Sequence, residues 1–403
     1  PLSPAEPELR MNKAKILHLV IDLSDFGGAE MTLLRYLSQT EAAAEHHAVL
    51  TLKSVKLGPS VGAEIIKLGV PVHSLGISGI KSMLEALPRL VQDIRKLQPD
   101  ILSAWLYYPS LLATLLRPFL PHKPRLVWHI RSLPFVTFNS KPARWLAQRV
   151  LALLSHVQAV QIVSNSEASR KAHGAIGFRT SAATWTVIPN AVDTQRYAPN
   201  REARTAIRAE LALTDTMIVI GAVGRNVPEK GYPDLFLAFE ALRDDLPAAL
   251  SEKLHLMIAG RNVTPDDPSI KTLLARSRLP AERFHLLGPR QDIPDVLNAM
   301  DVFVMPSRSE SFPNVLAEAM AVGLPALATD VGDCRVVLND DRFIATPDLL
   351  ARRMATMLSL SAQERETIGL TNRMHIEERY TEAKMTAAFD AVFQPAAAMP
   401  NLK

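Results

Sequence analysis

The chain has 403 residues, a length that points to two domains of ordinary size. Apolar residues make up 48% and charged residues 21%, which excludes a disordered chain, a coiled coil and a collagen. One cysteine, Cys334, excludes an intrachain disulfide and fits a reducing compartment, and no run of about 20 apolar residues is present to span a bilayer.

Pro1–Arg10 has no apolar core of the signal-peptide kind. Residues 1–12 are expected to be an extension or a cloning remnant, with Met11 as the natural start. The run Ile16–Leu23 predicts a strand, followed by a Gly-containing loop and a helical pattern over Ala29–Leu37. Further strands are expected at Val49–Leu52, Val70–Leu75, Ile101–Ala104, Leu126–Ile130 and Ala159–Ser164. Helical patterns over Val61–Leu68, Met83–Leu97 and Leu111–Leu116 separate them. Such alternation implies a parallel sheet wound on both faces.

The turn-rich Pro189-Asn190-Ala191-Val192-Asp193 closes this first unit. A second unit is expected to hold strands at Met217–Val223, Leu254–Ala259, Phe284–Leu287, Val302–Met305 and Pro325–Ala328. A last helix spans about Thr381 to Phe393. The boundaries read as 13–200 and 201–378, with 379–403 returning toward the first domain.

Charge is uneven. Residues 1–190 carry 21 Lys+Arg against 12 Asp+Glu, and the remainder 24 against 29. No acidic residue occurs between Ile101 and Ser166, where Arg117, Lys123, Arg125, Arg131, Lys141, Arg144 and Arg149 interleave with aromatics. A one-signed field of this kind attracts anions, and aromatics beside cations suit a membrane interface. Arg131, Lys141, Arg144 and Arg149 are the expected acceptor or membrane face. Standard nucleic-acid motifs are missing, so no nucleic-acid partner is expected.

Asp301 to Asp330 is the most informative segment. A buried strand ends near Met305-Pro306, a polar loop follows, and Pro313 suits the first turn of a helix, where a missing N–H costs nothing. The helix runs through Ala321 and Gly323 can terminate it. Backbone N–H groups from Phe312 to Val315, Pro313 itself having none, would then lie at a helix N-terminus, at the carboxyl edge of a parallel sheet. That is a place for a phosphate. Glu310 precedes this helix and Glu318 lies in its second turn. Carboxylates accept paired hydrogen bonds from vicinal hydroxyls, so one can hold a sugar and the other a ribose.

Ser-Glu-Ser-Phe-Pro-Asn-Val-Leu-Ala-Glu-Ala-Met-Ala, then Gly-Leu-Pro and Thr-Asp-Val-Gly, resembles the Glu-x7-Glu signature of the family 4 retaining glycosyltransferases. Gly27-Gly28-Ala29-Glu30 resembles that family's N-terminal Gly loop. Ile188–Asp193 resembles its Ile-Pro-Asn-Gly-Val-Asp segment, with Ala191 where Gly is usual. Gly221–Arg225 and Lys230-Gly231 resemble the opening of its second domain. The resemblance covers about residues 15 to 393. It implies an α/β GT-B fold, two Rossmann-like doubly wound parallel-sheet domains facing a central cleft. It further implies a first domain that binds the acceptor and a second that binds the nucleotide sugar.

The resemblance also implies roles. Arg225 and Lys230 would bind the donor diphosphate and steady the leaving group. Gly27 and Gly28 would admit a ligand close to the backbone. Glu310 would orient the sugar, Glu318 the ribose, and amides near Ser311–Asn314 the phosphates. His129, in Trp-His-Ile-Arg, would lie near the transferred sugar, or serve structure. Arg131 would meet an acceptor phosphate. Asn165 and Ser166 match the family's Asn-Ser, or cap the helix that starts near Glu167.

The expected activity is retaining transfer of a sugar from a nucleotide diphosphate, most commonly UDP, to a saccharide or lipid-linked acceptor in cell-surface polysaccharide or glycolipid synthesis. The expected location is cytoplasmic, at the inner membrane face. No Asp-x-Asp, His-x-x-x-His or Cys pair stands out, so neither metal nor cofactor is expected. A nucleotide-sugar 2-epimerase of the same fold and a non-catalytic nucleotide-sugar-binding subunit are the competing readings. A nicotinamide oxidoreductase is disfavoured because the Gly-x-Gly-x-x-Gly fingerprint is missing.

Overall fold

A computed structural model describes residues 14–24, 27–55, 58–135 and 142–394. The chain forms two compact units. The first comprises residues 1–164, 170–188 and 385–403, and the second residues 165–169 and 189–384.

The first unit holds a seven-stranded parallel sheet. Its strands are β1 (Ile16–Val20), β2 (His47–Thr51), β3 (Val72–Ser74), β4 (Ile101–Trp105), β5 (Arg125–Ile130), β6 (Val160–Ser164) and β7 (Trp185–Val187), in the order β3-β2-β1-β4-β5-β6-β7. Every residue of β1 and β4 is buried. This is why these strands read as continuous apolar runs: both faces of a parallel sheet are covered.

The second unit repeats the plan with six parallel strands. These are β8 (Ile218–Val223), β9 (Leu254–Ala259), β10 (Phe284–Leu286), β11 (Val302–Met305), β12 (Ala326–Thr329) and β13 (Ile344–Ala345), in the order β10-β9-β8-β11-β12-β13. In each sheet the order reverses once, between β1 and β4 and between β8 and β11. Loops that leave the carboxyl ends of such neighbours diverge and leave a crevice.

Four elements differ from the sequence reading. The helix Tyr107–Leu116 starts a turn earlier than the apolar pattern, because Leu106 takes a left-handed φ of 70° and Pro109 occupies the first turn. Strands β7 and β13 have only three and two residues and carry no periodicity to read. Pro313 is the N-cap of the helix Asn314–Ala321 rather than its first residue, with ψ 77°.

The helix Glu382–Phe393 enters the first unit from Met385 onward. Phe389 and Phe393 lie 5.2 and 5.6 Å from Tyr36, ring to ring. The Tyr36 hydroxyl donates to Asp390 at 2.9 Å, and the Arg125 guanidinium donates to the Val392 carbonyl at 2.6 Å. The apolar side chains of this helix thus join the core that holds Tyr36, in the unit of β1.

Candidate active site

Two glycines shape the loop after β8. Gly224 follows the strand at φ 158°, and a Cβ on Gly260, after β9, would meet the Gly224 carbonyl oxygen at 1.8 Å. The turn Pro228–Lys230 ends in Gly231 at φ 66°, where a Cβ would meet the Pro306 carbonyl oxygen at 2.0 Å. No larger residue fits there, so the β8 loop lies directly on the β11 loop. Arg308 fastens the pair: its amide donates to the Glu229 carbonyl at 2.7 Å and its guanidinium forms a two-pronged pair with Asp234, 2.8 Å on each prong.

This clamp brings Lys230 to Glu310, with Nζ 2.6 Å from Oε1, at the sheet's reversal point. Ser307 Oγ donates to the same carboxylate oxygen at 2.8 Å. Arg225 is exposed at the end of β8, and its guanidinium makes no ion pair or hydrogen bond among the described residues. The site therefore holds one cation paired with an acid and one open to solvent.

The loop Pro306–Pro313 is held from several sides. Gly332, at φ 57°, brings the β12 loop so close that a Cβ would meet the Glu310 carbonyl oxygen at 2.3 Å. The Asp333 amide donates to the Ser311 carbonyl at 3.1 Å, and Ser311 Oγ donates to Asn165 Oδ1 at 2.7 Å. Asn190 Nδ2 donates to Asn314 Oδ1 at 2.7 Å, and Phe312 is buried against Tyr380, 5.6 Å between rings. Burial and the nearby Glu310 charge push the Cys334 thiol well above its ordinary value, leaving it a buried, protonated packing group.

Of the four residues expected at the helix tip, Pro313 has no N–H and the Asn314 N–H donates back to the Phe312 carbonyl at 3.1 Å. Val315 lies in the first turn of the helix and Glu318 is half-buried in the second. Ser166 Oγ accepts the Ser169 amide at 3.0 Å, a helix cap, and also lies 2.8 Å from Ser311 Oγ. The Asp333 carboxylate accepts the Glu167 and Ala168 amides at 2.8 Å each.

The first unit places its residues differently. His129 is fully buried within β5. Its Nε2 lies 2.9 Å from Ser103 Oγ, which lies 2.9 Å from His18 Nδ1, while His18 Nε2 lies 3.0 Å from His47 Nδ1. Trp105 stacks on His129 at 4.1 Å, and Phe389 and Phe393 cover it at 5.7 and 6.1 Å. Burial, then the charge of Arg131, hold the His129 imidazole well below its ordinary pKa.

Arg131 leaves the carboxyl end of β5. Its guanidinium donates to the Ile188 carbonyl at 3.3 Å and to Thr32 Oγ1 at 3.4 Å, and burial lowers its pKa to about 9. Gly27 caps the helix Gly28–Gln39 with an ordinary φ of −78°, and a Cβ on Gly28 would meet no atom of the described residues within 4 Å.

Arg144 is exposed, 5.9 Å from the Phe135 ring, whereas Arg149 is tied to the Ile176 carbonyl at 3.1 Å. Lys141 lies outside the described residues. Sequence reasoning did not find Arg308, Gly332 or Asp333 as supports of the Glu310 loop; the Thr-Asp-Val-Gly motif was the available signal. Among the described residues no helix is long and apolar enough to cross a membrane, and no group of three or more His, Cys, Asp or Glu side chains is gathered as a metal site would require.

Residues 26–196 match the family model described as Glycosyltransferase Family 4, and residues 203–373 the model described as Glycosyl transferases group 1. The chain belongs to the family 4 glycosyltransferases. This family 4 member is 30% identical over 277 residues to the putative teichuronic acid biosynthesis glycosyltransferase TuaC of Bacillus subtilis, across 66% of the present chain and 64% of the relative. It is 32% identical over 160 residues to the UDP-Gal:alpha-D-GlcNAc-diphosphoundecaprenol alpha-1,3-galactosyltransferase of Escherichia coli, across 39% and 40%. The matched stretch thus spans between two fifths and two thirds of these relatives' lengths. Anabaena HepE, solved in complex with UDP, superposes with a TM-score of 0.77 at 20% identity, across 94% of this chain and 99% of that one. The shared fold is GT-B, with two parallel-sheet α/β domains.

Proposed function

We propose that this family 4 member moves a glycosyl group, with retention, from a UDP-sugar to a saccharide or lipid-linked saccharide acceptor. The observation that carries the reading is the meeting of Lys230 and Glu310 at the β8–β11 reversal, with Arg225 exposed two residues past the end of β8. UDP in the HepE complex and the diphosphoundecaprenol acceptor of the Escherichia coli relative support the choice of donor and acceptor class.

Lys230 and Arg225 neutralise the diphosphate, and Glu310 holds sugar hydroxyls while Glu318 holds the ribose. The bond from the anomeric carbon to the β-phosphate oxygen breaks through an oxocarbenium-like state, and its electron pair stays on the diphosphate. The acceptor hydroxyl attacks the same face, and its proton passes to the departing phosphate oxygen. Charge grows on the leaving group, and Lys230, Arg225 and the N-terminal end of the helix Asn314–Ala321 offset it. No metal is assigned a step: the charge it would offset is met by these groups.

The test is transfer of radiolabelled sugar from a panel of nucleotide sugars to lipid extracts and saccharides, with and without a chelator. Anomer-retaining transfer that survives chelation supports the reading. Epimerisation of a UDP-sugar without any acceptor, UDP binding without turnover, or activity restored only by added magnesium overturns it.

A further inference from the structure

Arg225 lies two residues past the end of β8, and its guanidinium makes no ion pair or hydrogen bond among the described residues. A free arginine side chain keeps its rotamer entropy. The position of such a cation is therefore set by the backbone that carries it.

That backbone is tied on both sides. Ahead of Arg225, the Gly224 amide donates to the Ala259 carbonyl at 2.9 Å, and the Gly224 carbonyl accepts the Tyr232 hydroxyl at 2.7 Å. After it, the Asn226 amide donates to the Arg261 carbonyl at 2.9 Å. These bonds carry the pairing of β8 with β9 past the ends of both strands.

Asn226 adds a side-chain tie. Its Nδ2 donates to Asp267 Oδ1 at 3.0 Å and to Ser269 Oγ at 2.7 Å. An ionised carboxylate only accepts, so the amide nitrogen must face it. Ser269 Oγ gives its own proton to Asp267 Oδ1 at 2.6 Å, which leaves its lone pairs to Asn226. The partners thus fix which way the amide points and use both of its protons.

Asp267 is held in turn. It caps the helix Pro268–Arg276, where its Oδ1 accepts the Ser269 amide at 3.0 Å and the Ile270 amide at 3.3 Å. Hydrogen bonds, that of the Ser269 hydroxyl first, keep its carboxyl below the ordinary pKa. Ile270 is buried in the core of the second unit, so the cap is rooted there. Lys230 is anchored elsewhere, by Gly231 against Pro306 and by the Arg308–Asp234 pair. The two cations of one loop are held toward opposite neighbours of β8, Lys230 on the β11 side and Arg225 on the β9 side.

We propose that Asn226 is a positioning residue for donor binding: through Asp267 and Ser269 it holds Arg225 where the diphosphate is met. This deepens the transferase reading and rests on Arg225 as a ligand of that diphosphate.

Calorimetric titration of the full chain with UDP tests it. Asn226→Ala raises the Kd about tenfold, while the free protein melts close to wild type. UDP binding weakens with salt in the wild type, and less steeply in Asn226→Ala, although that substitution changes no charge, because the displaced cation is what salt screens. Ser269→Ala, at an exposed residue, raises the Kd in the same direction by less. Asp267→Ala matches the affinity loss of Asn226→Ala but also lowers the melting temperature, since it uncaps a helix. The double variant Asn226→Ala/Asp267→Ala binds UDP no more weakly than Asp267→Ala. The proposal alone is overturned if Asn226→Ala binds UDP like wild type, if it keeps the full salt dependence, or if the losses of the double variant add. If Arg225→Ala binds UDP like wild type, the donor reading falls and this proposal with it.

Discussion

Lys230 and Arg225 leave the same strand but occupy opposite electrostatic states, and this separates their predicted phenotypes. Lys230 is paired with Glu310, so Lys230→Ala removes a leaving-group cation and leaves Glu310 half-buried beside Ser307 alone. Transfer should fall about a hundredfold or more, measured as kcat at saturating donor. Arg225 has no side-chain partner among the described residues. Arg225→Ala should abolish stabilisation by UDP while changing the stability of the free protein by less than about 0.5 kcal/mol, read by thermal shift with and without nucleotide. The imidazoles answer to pH instead. Burial depresses the folded pKa of His129 and of His18. Below the unfolded value of about 6.5 the unfolded chain takes up protons that the folded chain cannot hold, so stability is present above this pH and is lost as pH falls. The loss is up to about 1.4 kcal/mol per pH unit per buried imidazole. His129→Asn should reduce the slope of melting temperature against pH below that value, which a pH series of thermal melts measures.

At the scale of elements, the core is what a sequence displays best. β9 and β11 are fully buried runs, apolar but for His255, and their limits could be read directly. Strand β13 has two residues and owes its existence to pairing with β12, which no local pattern announces. The candidate site follows the same division. Glu310, Glu318, Arg225 and Lys230 were legible because their residue types suit the chemistry and their spacing matches a known signature. The burial of His129 was not, since a histidine in a strand reads the same on either face; Ser103, His18 and Phe389 arrive from distant segments to enclose it. Likewise Gly332 looks like any turn glycine until its missing Cβ is seen to make room for the Glu310 carbonyl. Gly332→Ala must strain a left-handed φ, about 1–2 kcal/mol, and displace that loop. Donor affinity should fall about tenfold, a loss of about 1.4 kcal/mol of binding. Isothermal titration with UDP checks this. Phe389→Ala tests the other end of the chain: loss of a buried aromatic against Tyr36, Trp105 and His129 should destabilise the first unit by about 3–5 kcal/mol.

At the scale of the molecule, one architectural device appears twice, a parallel sheet whose strand order reverses beside its first strand. Alternating strands and helices made the two sheets legible; that the helix Glu382–Phe393 returns to the first unit is expected, but no local pattern of residues shows it, and only its contacts with that unit do. The two reversal points are chemically unlike. In the second unit the loops after β8 and β11 carry Arg225, Lys230 and Glu310, and in the first unit the carboxyl edge carries Gly28 and the buried Arg131. A nucleotide held by the second set acts on one unit's stability. At a UDP concentration of about 100 times Kd the bound unit gains about 2.7 kcal/mol. For a unit of this size that raises its melting temperature by roughly 5–10 °C. Calorimetry should show one transition moving upward with UDP and the other staying in place, with Phe389→Ala lowering only the stationary one. A single transition that moves as a whole would mean that the units unfold together, and Phe389→Ala would then lower it even in the presence of UDP.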